Sequence, residues 1–186
     1  MRAQGFDGGV FLGMTTSQVD GDGLQGFDLP GLNAGFYAKR AVGKKSTARL
    51  ELAFVQKGSR IPPSDSSNFY KLRLNYIQIP LVYEYRWKDL SFEIGLGADI
   101  FVNKKEEDLS GPRDSPLGYY RVSMVGLFGV SYYFTDNWIL NLRTTNSITN
   151  ISDGRNGAVS QAASYFGPYG QRNDVLSFAL IYEFNN

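Results

Sequence analysis

The clearest pattern in the chain is an alternation of apolar and polar residues over positions 90–103. A period of two places the two sets on opposite faces of a single β-strand. One face is apolar along its whole length, whereas the other carries Glu93, Asp99 and two glycines, with Phe101 as its apolar exception. Such a strand needs an apolar neighbour, either a protein core or lipid, along one entire face.

The same alternation recurs along the chain and predicts eight strands. They are predicted at residues 6–19, 32–42, 47–57, 70–87, 90–103, 119–134, 138–148 and 175–184. The connections alternate between long and short, and the long loops are expected at about residues 20–31, 58–69, 104–118 and 149–174. Because no segment has the spacing of an amphipathic helix, residues 1–186 are expected to form one all-β domain.

The fourth predicted strand has one irregularity. Its apolar residues fall on even positions from Tyr70 to Tyr76 and on odd positions from Ile77 onwards. An extra residue shifts the facing of a strand in this way, and the nearby Pro80 cannot donate a ladder hydrogen bond. The sequence therefore predicts a β-bulge beside Pro80.

Composition excludes two classes of protein. The 186 residues carry a net charge of +1, and their mean hydropathy is -0.26. No window holds the ~18–20 unbroken apolar residues that a membrane-spanning helix needs. The near-neutral charge gives no electrostatic reason to expect nucleic acid as a partner.

The start of the chain, Met1-Arg2-Ala3-Gln4, is not followed by the apolar run of ~7–15 residues that a signal peptide contains. We interpret it as the start of a chain whose leader has been cut away near Ala3-Gln4. The alternative is a true cytoplasmic start.

Eight antiparallel strands can close into a barrel that has no exposed edge, and two kinds of closed barrel fit the alternation. In a soluble, lipocalin-like barrel the apolar face points into the interior and the polar face meets water. In an outer-membrane barrel the apolar face meets lipid and the polar face fills the lumen.

The charged residues of the polar faces favour the membrane. Charges of both signs occur there among glycines, and a narrow eight-stranded interior would pack them as ion pairs. The residues expected in this lumen network are Arg49, Glu51, Glu84, Glu93, Asp99, Arg121, Arg143 and Glu183. The alternation of long and short connections is also typical of barrels with long outer loops and tight periplasmic turns.

The aromatic residues favour the membrane too. An aromatic girdle is expected at the short-turn end from Trp87, Trp138, Tyr83, Tyr85, Phe134, Tyr182 and Phe184. A second set is expected at the opposite end from Tyr70, Phe101, Tyr119 and Tyr120. Because aromatic side chains concentrate at both interfaces of a bilayer, the sequence predicts an eight-stranded antiparallel up-and-down transmembrane β-barrel surrounded by lipid.

Two segments, residues 51–58 (ELAFVQKG) and residues 74–81 (LNYIQIPL), resemble the PorT-like outer-membrane β-barrel family of Bacteroidota. That family pairs a strand ending in a Lys-Gly step with a strand of the form Asn-Tyr-aliphatic-x-Ile-Pro-aliphatic. The glycine-spaced fifth strand fits as well, and the detailed match covers about residues 51–99. The resemblance implies an eight-stranded barrel in the outer membrane of a Gram-negative bacterium, and it implies little about activity. Asn185-Asn186 depart from the aromatic ending of many such barrels.

The sequence offers little catalytic chemistry. Outer-membrane hydrolases and acyltransferases mostly use a histidine as general base, and this chain has neither histidine nor cysteine. Ser–Lys catalysis stays open in principle, but Glu93 and Asp99 lie ~20 Å apart along their strand, too far to act as a carboxylate pair. We expect no enzyme activity and no cofactor.

Two loop segments are candidates for binding. Asp20 and Asp22 could supply oxygen ligands to calcium, although Asp-Gly repeats more often form turns, and no metal site is predicted. Tyr165, Phe166 and Tyr169 in the last long loop could anchor a protein partner or fold back on the barrel rim.

The lumen network could pass small ions, but eight strands leave an interior only wide enough for side chains, which favours a salt-bridged plug. The expected function is that of a non-enzymatic integral outer-membrane barrel with protein partners in that membrane. It would be an accessory or structural subunit of an envelope complex for secretion, transport or assembly. The alternatives are a narrow pore or transporter for small solutes and a soluble, lipocalin-like ligand-binding barrel.

Overall fold

The computed structural model describes residues 5–20, 27–61, 69–113, 118–152 and 171–184. Their strands are β1 (Asp7–Asp20), β2 (Leu29–Ala41), β3 (Ser46–Ile61), β4 (Tyr70–Trp87), β5 (Leu90–Asp108), β6 (Gly111–Arg113), β7 (Val122–Tyr133), β8 (Trp138–Ser147) and β9 (Arg172–Phe184). None of the described residues lies in a helix long and apolar enough to cross a membrane.

Every strand pairing is antiparallel, and the sheet closes on itself. β1 to β5 pair in chain order, β5 then pairs with β7, and β7, β8 and β9 pair in turn. β9 returns to β1, with Val10 opposite Tyr182, and this pairing completes the ring. The short strand β6 pairs with the end of β5 as a hairpin at the long-loop end. The predicted closed eight-stranded antiparallel barrel is confirmed.

The two faces of the wall have opposite chemistry. On the outer face, Leu12, Ile94 and Phe128 are 62%, 61% and 53% exposed. On the inner face, Arg49 and Glu93 are 2% and 1% exposed. Because large apolar side chains cover the outside and ionisable ones fill the inside, the wall fits a lipid surrounding. The soluble, lipocalin-like alternative is wrong.

Four strands, β2, β3, β5 and β9, run further toward the long loops than the alternation predicts. Their ends extend into all the predicted long loops, 20–31, 58–69, 104–118 and 149–174. β3 reaches Ile61, and β5 reaches Asp108 before it turns back into β6. The outward positions at these ends of β3 and β5 include Arg60, Lys105 and Glu107 and no apolar residue larger than glycine, so the alternation is missing there and the sequence resembles a loop.

The predicted β-bulge beside Pro80 is wrong. Pro80 lies within β4, and the register of β4 with β3 is the same on both sides of it. The register shift lies between Asn75 and Tyr76, against an extra residue of β5. The apparent change of phase arises because Leu72, Leu74 and Tyr76 are buried inside the lumen, where apolar residues were not expected.

Near the long-loop end, β3 leans inward over β2 and reaches β1. Thr15 Oγ1 donates to the Gln56 carbonyl at 2.8 Å, and Ser17 Oγ donates to the Gly58 carbonyl at 3.0 Å. The crossing requires glycine at Gly31, where a Cβ would lie 2.5 Å from Thr15 Oγ1 and 2.6 Å from the Gln56 carbonyl oxygen. The backbone of the wall therefore narrows the lumen at this end.

Candidate functional site

The middle of the lumen holds a central network of two guanidinium groups and three carboxylates. Period-two alternation turns these side chains inward from β3, β4, β5 and β8. Arg143 donates to both oxygens of Glu51 at 2.8 Å, and its Nε lies 2.7 Å from Glu93 Oε1. Arg49 Nε lies 2.8 Å from Glu51 Oε1, its Nη1 lies 3.2 Å from Glu84 Oε2, and its Nη2 pairs with Glu93.

Neutral donors complete the central network, because its carboxylates outnumber its guanidinium groups. Asn141 Nδ2 donates to Glu93 Oε1 at 2.9 Å, and Tyr133 OH donates to Glu84. A buried charge is tolerated only when it is paired and hydrogen-bonded. These contacts therefore fix β3, β4, β5, β7 and β8 relative to one another at the middle of the barrel.

A second ion pair lies nearer the short turns and spans the seam where the barrel closes. Lys39 Nζ of β2 lies 2.5 Å from Glu183 Oε2 of β9, and Tyr37 OH donates to the same oxygen at 2.9 Å. β1 runs between these strands, and its Gly9 leaves the space for Tyr37, since a Cβ there would lie 2.5 Å from the phenol ring. The Arg49 guanidinium lies 5.3 Å from the Tyr37 ring centroid, which connects this pair to the central network.

A third ion pair joins Lys57 of β3 to Asp99 of β5, on the long-loop side of the central network. Gln78 Nε2 donates to the other Asp99 oxygen at 2.7 Å. Lys57 Nζ lies 5.4 Å from the ring centroid of Tyr76. This pair thus stands at the boundary between the charged part of the lumen and an apolar part.

The apolar part of the lumen, here called the apolar cap, lies at the long-loop end. It consists of Val19, Leu72, Leu74, Tyr76 and Ile151, with Tyr70, Phe101 and Tyr119 packed against it. The ring centroid of Phe101 lies 5.7 Å from that of Tyr76 and 5.5 Å from that of Tyr119. Together with the inward lean of β3, the apolar cap fills the lumen at this end.

The structure places the predicted lumen residues inside the barrel, with the exception of Arg121. Arg121 is exposed because β7 begins only at Val122, so the predicted strand starts too early. Asp99 and Glu183 belong to the two separate ion pairs rather than to the central network. The prediction missed Lys39 and Lys57, although both share the inward parity of the charged residues on their strands. It also missed the neutral donors, since a lone Tyr or Asn on a strand gives no signal of its partner.

The aromatic residues predicted for the short-turn girdle are exposed there or, like Tyr182, packed against exposed neighbours. The Tyr182 ring centroid lies 4.9 Å from that of Trp138 and 5.7 Å from that of Phe184. The second predicted set is wrong except at Tyr120, because its other three residues pack with the apolar cap.

The loop candidates lie largely outside the described residues. Asp22, Tyr165, Phe166 and Tyr169 are outside them, and Asp20 is the last residue of β1. Within the described part of the chain, no group of three or more His, Cys, Asp or Glu residues is arranged to hold a metal ion.

The sequence from residue 2 to residue 153 matches the model of a family described as the outer membrane protein beta-barrel domain. The chain belongs to this outer-membrane barrel family. The family and the closed, lipid-facing wall place the protein in the outer membrane. A comparison of this outer-membrane barrel with curated proteins gives no match.

Two solved structures share the fold of this outer-membrane barrel. Ail, the attachment invasion locus protein of Yersinia pestis, aligns with a TM-score of 0.57 at 13% identity, over 96% of this chain and 98% of Ail. Neisserial surface protein A aligns with a TM-score of 0.55 at 15% identity, over 97% of this chain and 99% of that protein. At these identities the likeness shows the fold alone.

Proposed function

We propose that this outer-membrane barrel is a non-enzymatic, non-conducting accessory or structural subunit of an envelope complex. The observation that carries the proposal is the filled lumen, which is closed by the central network and again by the apolar cap. A barrel that neither conducts nor catalyses acts through its loops, its rim or its lipid-facing wall. The resemblance of residues 51–99 to PorT-like barrels supports a place in the Gram-negative envelope of the Bacteroidota.

The state of the buried carboxylates supports a non-enzymatic role. A general base needs a free lone pair within reach of a substrate proton. In the central network, Glu51 and Glu93 are held by guanidinium groups, and Glu84 also accepts from Tyr133. Their oxygens are engaged inside a packed lumen, so none of the three is presented to a substrate.

The same packing argues against the alternative of a narrow pore. A permeating ion would have to separate Arg143 from two carboxylates at once and then displace the apolar cap. Breaking a buried ion pair costs about 3 to 5 kcal/mol, because it leaves an uncompensated charge. We therefore expect purified barrel to add no current steps to a planar lipid bilayer. A porin reconstituted in the same way is the positive control, and steps from the wild-type barrel would favour the pore instead.

The subunit role is tested by mild-detergent purification of the tagged barrel at native expression, with mass spectrometry of the proteins that accompany it. The expected result is a companion at a fixed stoichiometry that is absent when an unrelated tagged outer-membrane barrel is purified identically. A barrel that purifies alone after chemical crosslinking in intact cells would contradict the subunit role.

A further inference from the structure

The outer face of β3, β4 and β5 changes its chemistry in successive rows of cross-strand neighbours. The last apolar row consists of Phe54, Ile77 and Ile100. The next row toward the long loops, here called the amide row, consists of Gln56, Asn75 and Asn103. Gln56 Nε2 donates to Asn75 Oδ1 at 3.1 Å, and Asn75 Nδ2 donates to Asn103 Oδ1 at 2.5 Å. Amides thus replace aliphatic side chains within ~7 Å along the strands. The band of apolar side chains on the outer face, here called the apolar belt, ends at this row.

The two rows beyond the amide row form a cationic patch, which we define by Arg60, Lys71, Arg73 and Lys105. Arg60 lies opposite Lys71 across β3 and β4, and Arg73 lies opposite Lys105 across β4 and β5. Like charges directly opposite each other in antiparallel strands are destabilising. Two such pairs on one face therefore oppose the pairing of the strands that carry them, unless an anion lies against them.

Among the described residues, the charges of the cationic patch are only partly balanced. Glu107 lies opposite Lys71, and its Oε2 is 3.1 Å from Lys71 Nζ. Arg73 Nη2 donates to a backbone carbonyl at 3.0 Å, which holds the guanidinium in place without neutralising it. The Nε groups of Arg60 and Arg73 have no hydrogen-bond partner among the described residues. Within that part of the chain, no carboxylate lies at ion-pair distance from Arg60, Arg73 or Lys105.

We propose that the cationic patch binds the phosphate-bearing head group of a lipid in the outer leaflet. The patch lies just beyond the end of the apolar belt, at the long-loop end, which is the outer end of such barrels. It is on the outer face of the wall, so it faces the surrounding head groups rather than the barrel axis. Guanidinium groups bind phosphate through parallel N–H donors, and a lysine adds a point charge. A phosphate between Arg73 and Lys105 also removes the repulsion within that pair.

The test measures binding of bisphosphorylated lipid A to the full-length barrel in detergent micelles, by titration in native mass spectrometry. Wild-type barrel is expected to bind it saturably. The double variant Arg60→Gln with Lys105→Gln is expected to bind at least ten-fold more weakly. Each basic residue near an anionic surface raises the binding affinity roughly five-fold. Among the described residues, neither the Arg60 nor the Lys105 side chain makes a hydrogen bond or an ion pair, so the variant is expected to fold. Heat-modifiable gel migration checks that it does.

The matched control is Lys44→Gln with Lys45→Gln, the same change of charge at the short-turn end, and its affinity should stay within two-fold of wild type. Wild-type barrel titrated with dephosphorylated lipid A gives an answer that does not depend on any variant. Equal binding of the two lipids, or unchanged binding by the double variant, would overturn the proposal. Inorganic phosphate that displaces lipid A at micromolar concentration would assign the patch to a soluble anion instead.

Discussion

Toward the short turns the lumen is filled by ionisable side chains. Toward the long loops it is filled mainly by apolar ones beneath an inward-leaning strand, with the Lys104–Glu106 ion pair beside them. The charged half depends on the geometry of individual hydrogen bonds, since each buried charge needs its partner. The apolar half depends on volume, since its side chains are held by close packing. One narrow barrel can therefore have its lumen filled in two ways. Removing a single side chain should destabilise the two halves for different physical reasons.

The largest loss of folding stability is expected from Arg143→Met, which leaves Glu51 and Glu93 with the Arg49 guanidinium as their only shared cation among the described residues. Removing one partner of a buried ion pair costs about 3 to 5 kcal/mol. The free energy of unfolding, from guanidinium chloride titrations in detergent micelles, measures the loss. Arg121→Met removes the same group at an exposed position and should change stability by no more than about 0.5 kcal/mol. Equal effects at the two positions would show that the central network does not hold the charged half together.

The next effect is expected from Leu74→Ala in the apolar cap, which should cost about 2 to 5 kcal/mol because it leaves a cavity. Leu81→Ala is the matched change on the outer face of the same strand, where Leu81 is 60% exposed to the surrounding lipid. Detergent or lipid can fill the space at Leu81, so that variant loses the transfer term without a cavity. The same unfolding titration compares them, and a Leu81→Ala loss as large as that of Leu74→Ala would contradict a close-packed cap.

The smallest effect is expected from Tyr133→Phe, which removes the O–H that donates to Glu84 and leaves that carboxylate one donor short. An unsatisfied buried acceptor costs about 1 to 3 kcal/mol. Tyr132→Phe changes the neighbouring residue, which faces outward, and should leave the unfolding midpoint almost unchanged. If the two midpoints shift alike, the Tyr133 hydroxyl does not contribute to the charged half.

The charged half of the lumen could be predicted from the sequence because polar residues on an otherwise apolar strand identify the inward face. Arg49 and Glu51 of one strand share a parity, and so do Glu93 and Asp99 of another. The apolar cap could not be predicted in this way. A period of two separates two faces without saying which one meets lipid, so Leu72 read as outward while it is buried in the lumen.

The strand ends beyond the apolar belt were also missed, for a related physical reason. Beyond the apolar residues of the outer face the wall no longer meets acyl chains, so the outward residues of β3 and β5 become polar and the alternation disappears from the sequence. The cationic patch can be recognised only from the strand register. Arg60, Lys71 and Lys105 are separated in the sequence, and strand pairing places them side by side.

The ion pair across the closing seam bears on how the barrel is completed during insertion. β1 and β9 come from opposite ends of the chain, and a slip of one residue between paired strands turns every side chain to the other face. Such a slip of β9 would move Glu183 to the lipid side and leave Lys39 alone inside. A ring closed in the wrong register would therefore carry two unpaired charges. The Lys39–Glu183 contact therefore favours the correct register where the two ends of the sheet meet.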